Sequence, residues 1–495
     1  MSVPAQYDKG FFGHPKGLST LFFTEVWERF SFYGMKAFLL LYLTATVANG
    51  GMGFDVAKGT AIFALYTSMG YLLGLPGGWI ADRFIGHRRA VLSGGVLIML
   101  GHFSLAVQST VFFFAGLGLI VIGTGLLKPN ISAIVGQLYH QNDDRRDAGF
   151  SLFYMGINFG ALGGPLICGY LGERVNWHLG FSVAGLGMLF GLVQFVRGTR
   201  YMGDAGLKPE KCHDPKEAAR HRKILTTGVV VTVLAGLTAA ALHLSGVFVW
   251  TVERVADSFG LILFAIPVLF FAGLFLAERW TPVEKGRLAT IVVLFMAAAF
   301  FWAAYEQAGS SLTLFARDSV DRVLPFMDEP FPTSWFQNFP ALFCVLLAPV
   351  FAWLWVRLGK HQPSSPAKFA IGLLMVGIGF IVMMGAASAS AGGARISPWW
   401  LIGTYFLHVL GEMCLSPVGL STMTKLAPAR ISGMMMGVWF LAASVGNYVG
   451  GRAAGYYDRL TPLLLFGLFV LLTFAAAGVL ALLIRPIRRM MGGVH

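Results

Sequence analysis

Apolar runs of about 18 to 28 residues, separated by short polar stretches, dominate the chain and match the length of helices that cross a bilayer. They predict spans near 18–46, 57–81, 90–107, 111–137, 148–171 and 178–196. A polar, basic stretch from Arg197 to Lys223 follows, with Pro209 and Pro215, and reads as a linker. Two further spans, 224–250 and 259–277, precede six more near 288–315, 335–356, 368–390, 398–425, 432–456 and 462–484. The pattern predicts an all-α membrane protein of about fourteen spans in a six-two-six order. An N-terminal six-helix bundle is expected over 1–197, a linker and inserted two-helix hairpin over 198–285, and a C-terminal six-helix bundle over 286–495. The hairpin spans have few internal polar groups, which predicts a peripheral position with no part in transport. Met1–Lys16 shows no cleavable signal pattern, so the first span is expected to be the insertion signal.

Composition agrees with this reading: of 495 residues 56% are hydrophobic and only 12% charged, with a mean hydropathy of +0.68. The net charge of +13 raises nucleic acid as a partner, but the basic residues fall between apolar runs and not along a face with stacking aromatics. Arg83/Arg88/Arg89, Arg145/Arg146, Arg197–Lys223, Arg357/Lys360/Lys368, Lys425/Arg430 and Arg485/Arg488/Arg489 occupy alternate loops. The other loops mix signs, as in Arg317-Asp318 and Asp321-Arg322. Basic loops mark the cytoplasmic side, so both termini are expected there. Cys168, Cys344 and Cys414 lie in apolar spans and Cys212 in the linker, without the spacing of a disulfide framework or metal site, and Cys212-His213 supplies too little of a zinc motif.

Charges inside apolar runs cost roughly 2.5 to 3.5 kcal/mol each at mid-span, so they normally face a polar cavity and pair. The first span holds Glu25-Val-Trp-Glu28-Arg29-Phe-Ser-Phe-Tyr33-Gly34-Met-Lys36. Three- and four-residue steps place Glu25, Glu28/Arg29, Tyr33 and Lys36 on one stripe. That stripe is either a self-neutralised cluster that fixes packing or a site for protons or substrate. Lys128-Pro129-Asn130 interrupts the fourth span, where Pro129 disturbs the helix and Lys128 stands about eight residues short of the next basic loop; this favours burial over snorkelling. Glu306, in Phe301-Trp302-Ala-Ala-Tyr305-Glu306-Gln307, and Glu412, in Gly411-Glu412-Met-Cys-Leu-Ser416-Pro417, are single carboxylates in long apolar helices, with Lys128 and Lys36 as available cations. Asn158 and Asn338 serve equally as substrate ligands or interhelical glue. Trp302, Trp439 and Phe440 read by themselves as packing aromatics.

After the second span stands Gly78-Trp-Ile-Ala-Asp82-Arg83-Phe-Ile-Gly86-His-Arg88-Arg89, with a degraded echo, Arg357-Leu-Gly359-Lys360, in the second half. The string resembles the loop motif of the major facilitator superfamily, in which Asp82 pairs with basic groups to latch one conformation; a well-anchored short loop is the plainer reading. The ordered set of E-x-x-E-R-F with Tyr-Gly, K-P-N, F-Y-x-x-I-N-x-G and F-W-x-x-x-E-Q-x-G-S-S resembles the proton-dependent oligopeptide transporter (POT) family over nearly the whole chain. The resemblance implies a major facilitator fold and proton-coupled uptake of di- and tripeptides by alternating access. By position, Arg29 and Lys128 are then expected to bind the peptide carboxylate, Glu412 its amino group, and Asn158 and Asn338 its amide. Tyr33, Tyr71 and Ser416 join the substrate set, and Trp302, Trp439 and Phe440 line side-chain pockets. Glu25, Glu28 and Glu306 are expected to carry protons, coupled to Lys128, with Lys36 pairing to Glu306. Asp82, Arg83 and Arg88 form the latch.

Three departures stand out. Phe32 occupies the first place of the family's Tyr-Tyr pair, Lys36 stands where arginine is common, and no histidine lies in the second span. The last rests proton coupling on carboxylates. The alternative within the family is a proton-coupled carrier of a peptidomimetic, an amino acid derivative or nitrate, but nitrate gives Glu412 no amino group to bind. A drug exporter shares the loop motif without needing the Lys128 and Asn158 motifs. An enzyme is not expected: no nucleophile has a base beside it, Ser310-Ser311 having only Glu306 near in sequence. The remaining expectations are a bacterial cytoplasmic membrane protein acting as a monomer, with no catalytic residue, metal, cofactor or nucleic-acid partner beyond the coupling proton.

Overall fold

Five helices begin at a polar residue whose side chain accepts from a backbone N–H two or three residues on: Asp55, Asn176, Asp214, Thr281 and Thr461. Each satisfies a donor that the first turn leaves free, and Thr281 and Glu284 complete a reciprocal capping box. A computed structural model describes residues 9–140, 143, 145–209, 214–277, 280–323, 328–428, 431 and 434–492. Cys212-His213 and Arg430 lie outside the described residues.

The first block comprises α1 (Lys16–Thr44), α2 (Val56–Leu72, prolonged by Gly74–Ile80), α3 (His87–Leu105), α4 (Thr110–Gln137), α5 (Arg146–Gly164) and α6 (Trp177–Gly198). Two wide turns, Pro165–Gly169 and Leu171–Val175, prolong α5. The hairpin is α7 (Pro215–Leu244) and α8 (Val252–Ala277). The last block holds α9 (Pro282–Tyr305, with Glu306–Gly309 and Ser311–Ser319 beyond it), α10 (Asn338–Leu358), α11 (Ser365–Ser390), α12 (Trp399–Leu426), α13 (Met435–Ala454) and α14 (Pro462–Met490). Among the described residues, ten helices are long and apolar enough to cross a membrane. The charged α1 is not among them, yet it packs between α5 and α6 at the centre of its block. Several helices outrun their apolar cores: α7 starts at Pro215, within the basic linker, because Asp214 caps it.

Small residues let the helices approach. A Cβ on Gly77 would lie 2.1 Å from Gly125 O, and one on Gly94 2.6 Å from Gly123 O, so α4 meets α2 and α3 backbone to backbone. Gly160 and Gly164 do the same for α5 against α1. The blocks meet along α2 against α13 and α5 against α10.

The helices run alternately between an end carrying both termini and a far end. At the far end the blocks are fastened together. Arg317 donates to Thr44 Oγ1 at 3.1 Å, Arg174 pairs with Glu329 at 2.9 Å, and Glu173 accepts from the backbone of Thr333 and Ser334. At the other end Arg88 binds the carbonyls of Ala205 and Gly203, holding the 199–209 segment on the first block. The hairpin lies outside both blocks: α7 has no buried residue, while α8 touches α2 and α13. Tyr448 donates to Ala256 O at 2.9 Å and Arg452 pairs with Asp257 at 2.8 Å.

Candidate functional site

Between the blocks the intramembrane charges converge. On α1, Arg29 pairs with Glu25 at 3.0 Å and with Glu28, and all three are almost wholly buried. The four-residue step of the helix makes this cluster local. The Arg29 guanidinium also lies 5.2 Å from the Phe32 ring centre, so the ring at this position contributes a cation–π contact in place of a hydroxyl. One helical turn further, Lys36 crosses to Glu306 on the last block at 2.6 Å.

Lys128 precedes Pro129 inside α4, which stays helical through both residues, and is half-buried. Its ammonium sits 3.9 Å from the Tyr71 ring centre and 5.6 Å from that of Phe440. Among the described residues no carboxylate oxygen comes within 4.0 Å of it. Arg29, Glu28 and Glu25 lie within electrostatic reach. Opposite, Glu412 on α12 accepts from the Tyr305 hydroxyl and from Cys344 Sγ at 3.5 Å. It too has no ion-pair partner within 4.0 Å among the described residues. Tyr33 lies within electrostatic reach of Arg29, Glu306 and Glu412, and therefore between the two walls.

The amides are held for other geometry. Asn158 donates to Tyr154 O at 3.0 Å on its own helix. Asn338 opens α10 and donates to Trp335 O at 2.9 Å, leaving its Oδ1 without a partner among the described residues. The Trp302 Nε1 and Ser416 Oγ are likewise buried without partners among the described residues. Trp439 is buried, its ring 6.5 Å from Phe369, whereas Phe440 faces Tyr71 and Lys128.

The loop motif connects to the same helix as Lys128. His87 Nδ1 lies 2.8 Å from Asn130 Oδ1, and its Nε2 3.5 Å from Asp82. Asn130 donates to Gly77 O at 3.3 Å and Leu126 O at 2.7 Å. Asp82 therefore meets His87, while Arg88 turns to the 203–206 carbonyls.

Several groups escape a sequence reading. Tyr305 stands inside a quoted motif, yet nothing marks its hydroxyl as the partner of a carboxylate 107 positions away. Cys344 reads as an apolar residue. Tyr154, within electrostatic reach of Glu412 and Tyr33, and Tyr66, whose buried hydroxyl has no partner among the described residues, look like ordinary membrane aromatics. Spacing offers no signal for any of them. Among the described residues no group of three or more His, Cys, Asp or Glu is placed to hold a metal.

Two helix blocks that bury charged side chains between them and are fastened together at the far end define a multi-pass transporter of the major facilitator type. The chain belongs to the POT family, whose sequence profile matches residues 88–464. It is 44% identical to peptide transporter YePEPT of Yersinia enterocolitica, over 98% of this chain and 97% of the relative. It is 38% identical to a di-/tripeptide transporter of Lactococcus lactis, over 99% of each. A crystal structure of a mutant peptide transporter POT in complex with alafosfalin superposes with a TM-score of 0.90 at 42% identity, covering 99% of this chain and 98% of that one.

Proposed function

We propose that the protein takes up di- and tripeptides together with protons by alternating access, in the cytoplasmic membrane of a bacterium, as a monomer with both termini inside. The observation that carries this reading is the pair of opposite charges on opposite walls. Lys128 on the first block and Glu412 on the last both lack an ionic partner within 4.0 Å among the described residues. A zwitterion of variable side chain needs such a frame. The relatives from Yersinia enterocolitica and Lactococcus lactis are named peptide and di-/tripeptide transporters.

In this reading Lys128 takes the peptide carboxylate, and the ammonium displaces Tyr305 and Cys344 from Glu412. Asn158 and the spare oxygen of Asn338 meet the peptide bond, with Tyr33, Tyr71 and Ser416 beside it. Trp302, Trp439 and Phe440 border the side chains. Arg29 is occupied by two carboxylates, so a proton on Glu25 or Glu28 frees its guanidinium to join Lys128. A proton on Glu306 removes the charge that holds Lys36 and releases the link across the blocks. Asp82, Arg83 and Arg88 act at the terminal end, where the 1–197 and 286–495 bundles part. The 198–285 segment stays outside the cycle.

Uptake of labelled dialanine into proteoliposomes tests this. An inward proton gradient should drive accumulation, its collapse should stop it, other dipeptides should compete, and Lys128→Ala should abolish it. Failure of well-folded wild type to accumulate any peptide under a gradient overturns the reading.

A further inference from the structure

Helix α10 enters the bundle without a cap of its own. The turn that leads into it, Thr333–Gln337, is preceded by Pro332, whose side chain can accept no hydrogen bond. The free donors of such a first turn need an acceptor, above all where they are buried; Thr333 and Ser334 are 2% and 0% exposed. Their acceptor comes from the other block. Glu173 Oε2 accepts from Thr333 N at 2.8 Å and its Oε1 from Ser334 N at 2.7 Å. Glu173 sits in the second of the wide turns that end α5 and from there reaches the other block.

The surroundings close tightly on this pair. A Cβ on Gly169 would lie 2.1 Å from Ser334 Oγ, so only glycine permits the approach. Trp335 Nε1 donates to Leu166 O at 3.2 Å, and Arg174 holds Glu329 at 2.9 Å. The Arg174 pair is exposed and contributes little. Glu173 differs, because an ionised carboxylate accepting two shielded N–H groups makes charge-assisted bonds that water replaces only after the blocks separate.

We propose that Glu173 is the gating residue of the far end: it caps α10 in trans while that end is shut, and the far end opens only as its two backbone bonds break. It positions the blocks and touches no substrate. The proposal rests on alternation between the two ends and not on where the peptide's ends bind, so its test is independent of the cavity assignments.

Hydrogen–deuterium exchange of the full chain in nanodiscs reads the capped amides directly, comparing wild type with Glu173→Gln and Arg174→Ala. A neutral amide turns one of its two positions into a donor facing a donor. Exchange at Thr333 and Ser334 in Glu173→Gln should rise at least tenfold. Segments 134–140 and 434–440, at the terminal end, should exchange several-fold more slowly as that end closes in compensation. Arg174→Ala should change neither by more than twofold. Should Glu173→Gln not fold, Gly169→Ala, which wedges the same contact, is expected to give the same two-ended signature. Unchanged exchange at 333–334, or a rise there without slowing at the terminal end, overturns the proposal.

Discussion

Glu412 is held in this conformation by a phenol and a thiol, two neutral donors that an ammonium can outcompete. Glu412→Gln is therefore expected to weaken binding of free dipeptides by one to two orders of magnitude, since a charge-assisted contact is worth about 1.5–3 kcal/mol. N-acetylated dipeptides should be little affected. Competition against labelled dialanine measures both, and an equal loss for the two classes moves the amino-end site elsewhere. Tyr305→Phe should act in the opposite direction, strengthening free-dipeptide binding several-fold, because the ammonium no longer has to displace the hydroxyl; unchanged or weaker binding removes Tyr305 from this role. These residues also mark the limit of what spacing reveals. A carboxylate in an apolar helix announces itself by its cost, which is why Glu25, Glu28, Glu306 and Glu412 were legible. Tyr305 and Cys344 cost nothing unusual in a membrane helix, and only the folded chain brings them to Glu412. Glu173 was equally silent, because its partners are backbone N–H groups that every residue but proline carries.

At the scale of elements, the apolar runs located the helices, since length and hydropathy suffice to find a span. They did not locate the ends. Capped by Asp214, α7 begins at Pro215, nine residues before the apolar run starts at Ile224, and α14 runs through Arg485, Arg488 and Arg489 to Met490. Capping and backbone hydrogen bonding set these ends, and charged side chains at a helix terminus do not oppose them. Contacts between helices were less legible still, because a glycine in a span does not say which backbone it meets. Gly77 meets Gly125, where a Cβ would lie 2.1 Å from a carbonyl oxygen. Gly77→Val should therefore force α2 off α4, at a cost on the order of 1–3 kcal/mol. The same shift disturbs the Asn130 bond to Gly77 O. A fluorescence-detected thermal melt should show Tm lowered by several degrees, whereas the same change at Gly118, where nothing lies within 4 Å, should leave it within a degree or two.

For the whole molecule, the six-two-six order follows from the runs and the linker, and the family from the ordered motifs. Which end is closed does not follow from either, since one sequence must support both states with small differences in free energy. The hairpin illustrates the distinction between touching and serving. Helix α8 holds α13 through Tyr448 and Arg452, and α7 buries nothing. Replacing residues 210–277 by a flexible linker should lower Tm by only about 1 °C, the effect of losing on the order of 1 kcal/mol in a molecule of more than about 400 residues. Dialanine uptake per folded molecule should stay within twofold. Folded protein without uptake would assign the hairpin a role in the cycle.

The ion cluster of α1 also bears on how the chain is made. Its first span enters the bilayer roughly a hundred residues before Lys128 is synthesised, and each unpaired charge at mid-span adds a few kcal/mol to insertion. Arg29 meets both of its carboxylates on its own helix, so most of the neutralisation travels with the segment that needs it. Lys36 has no such local partner and waits for Glu306, 270 residues later in synthesis. The order of translation thus leaves one lysine without its partner until the second half arrives, and one of the contacts that join the halves is also the one that completes the membrane's acceptance of the first.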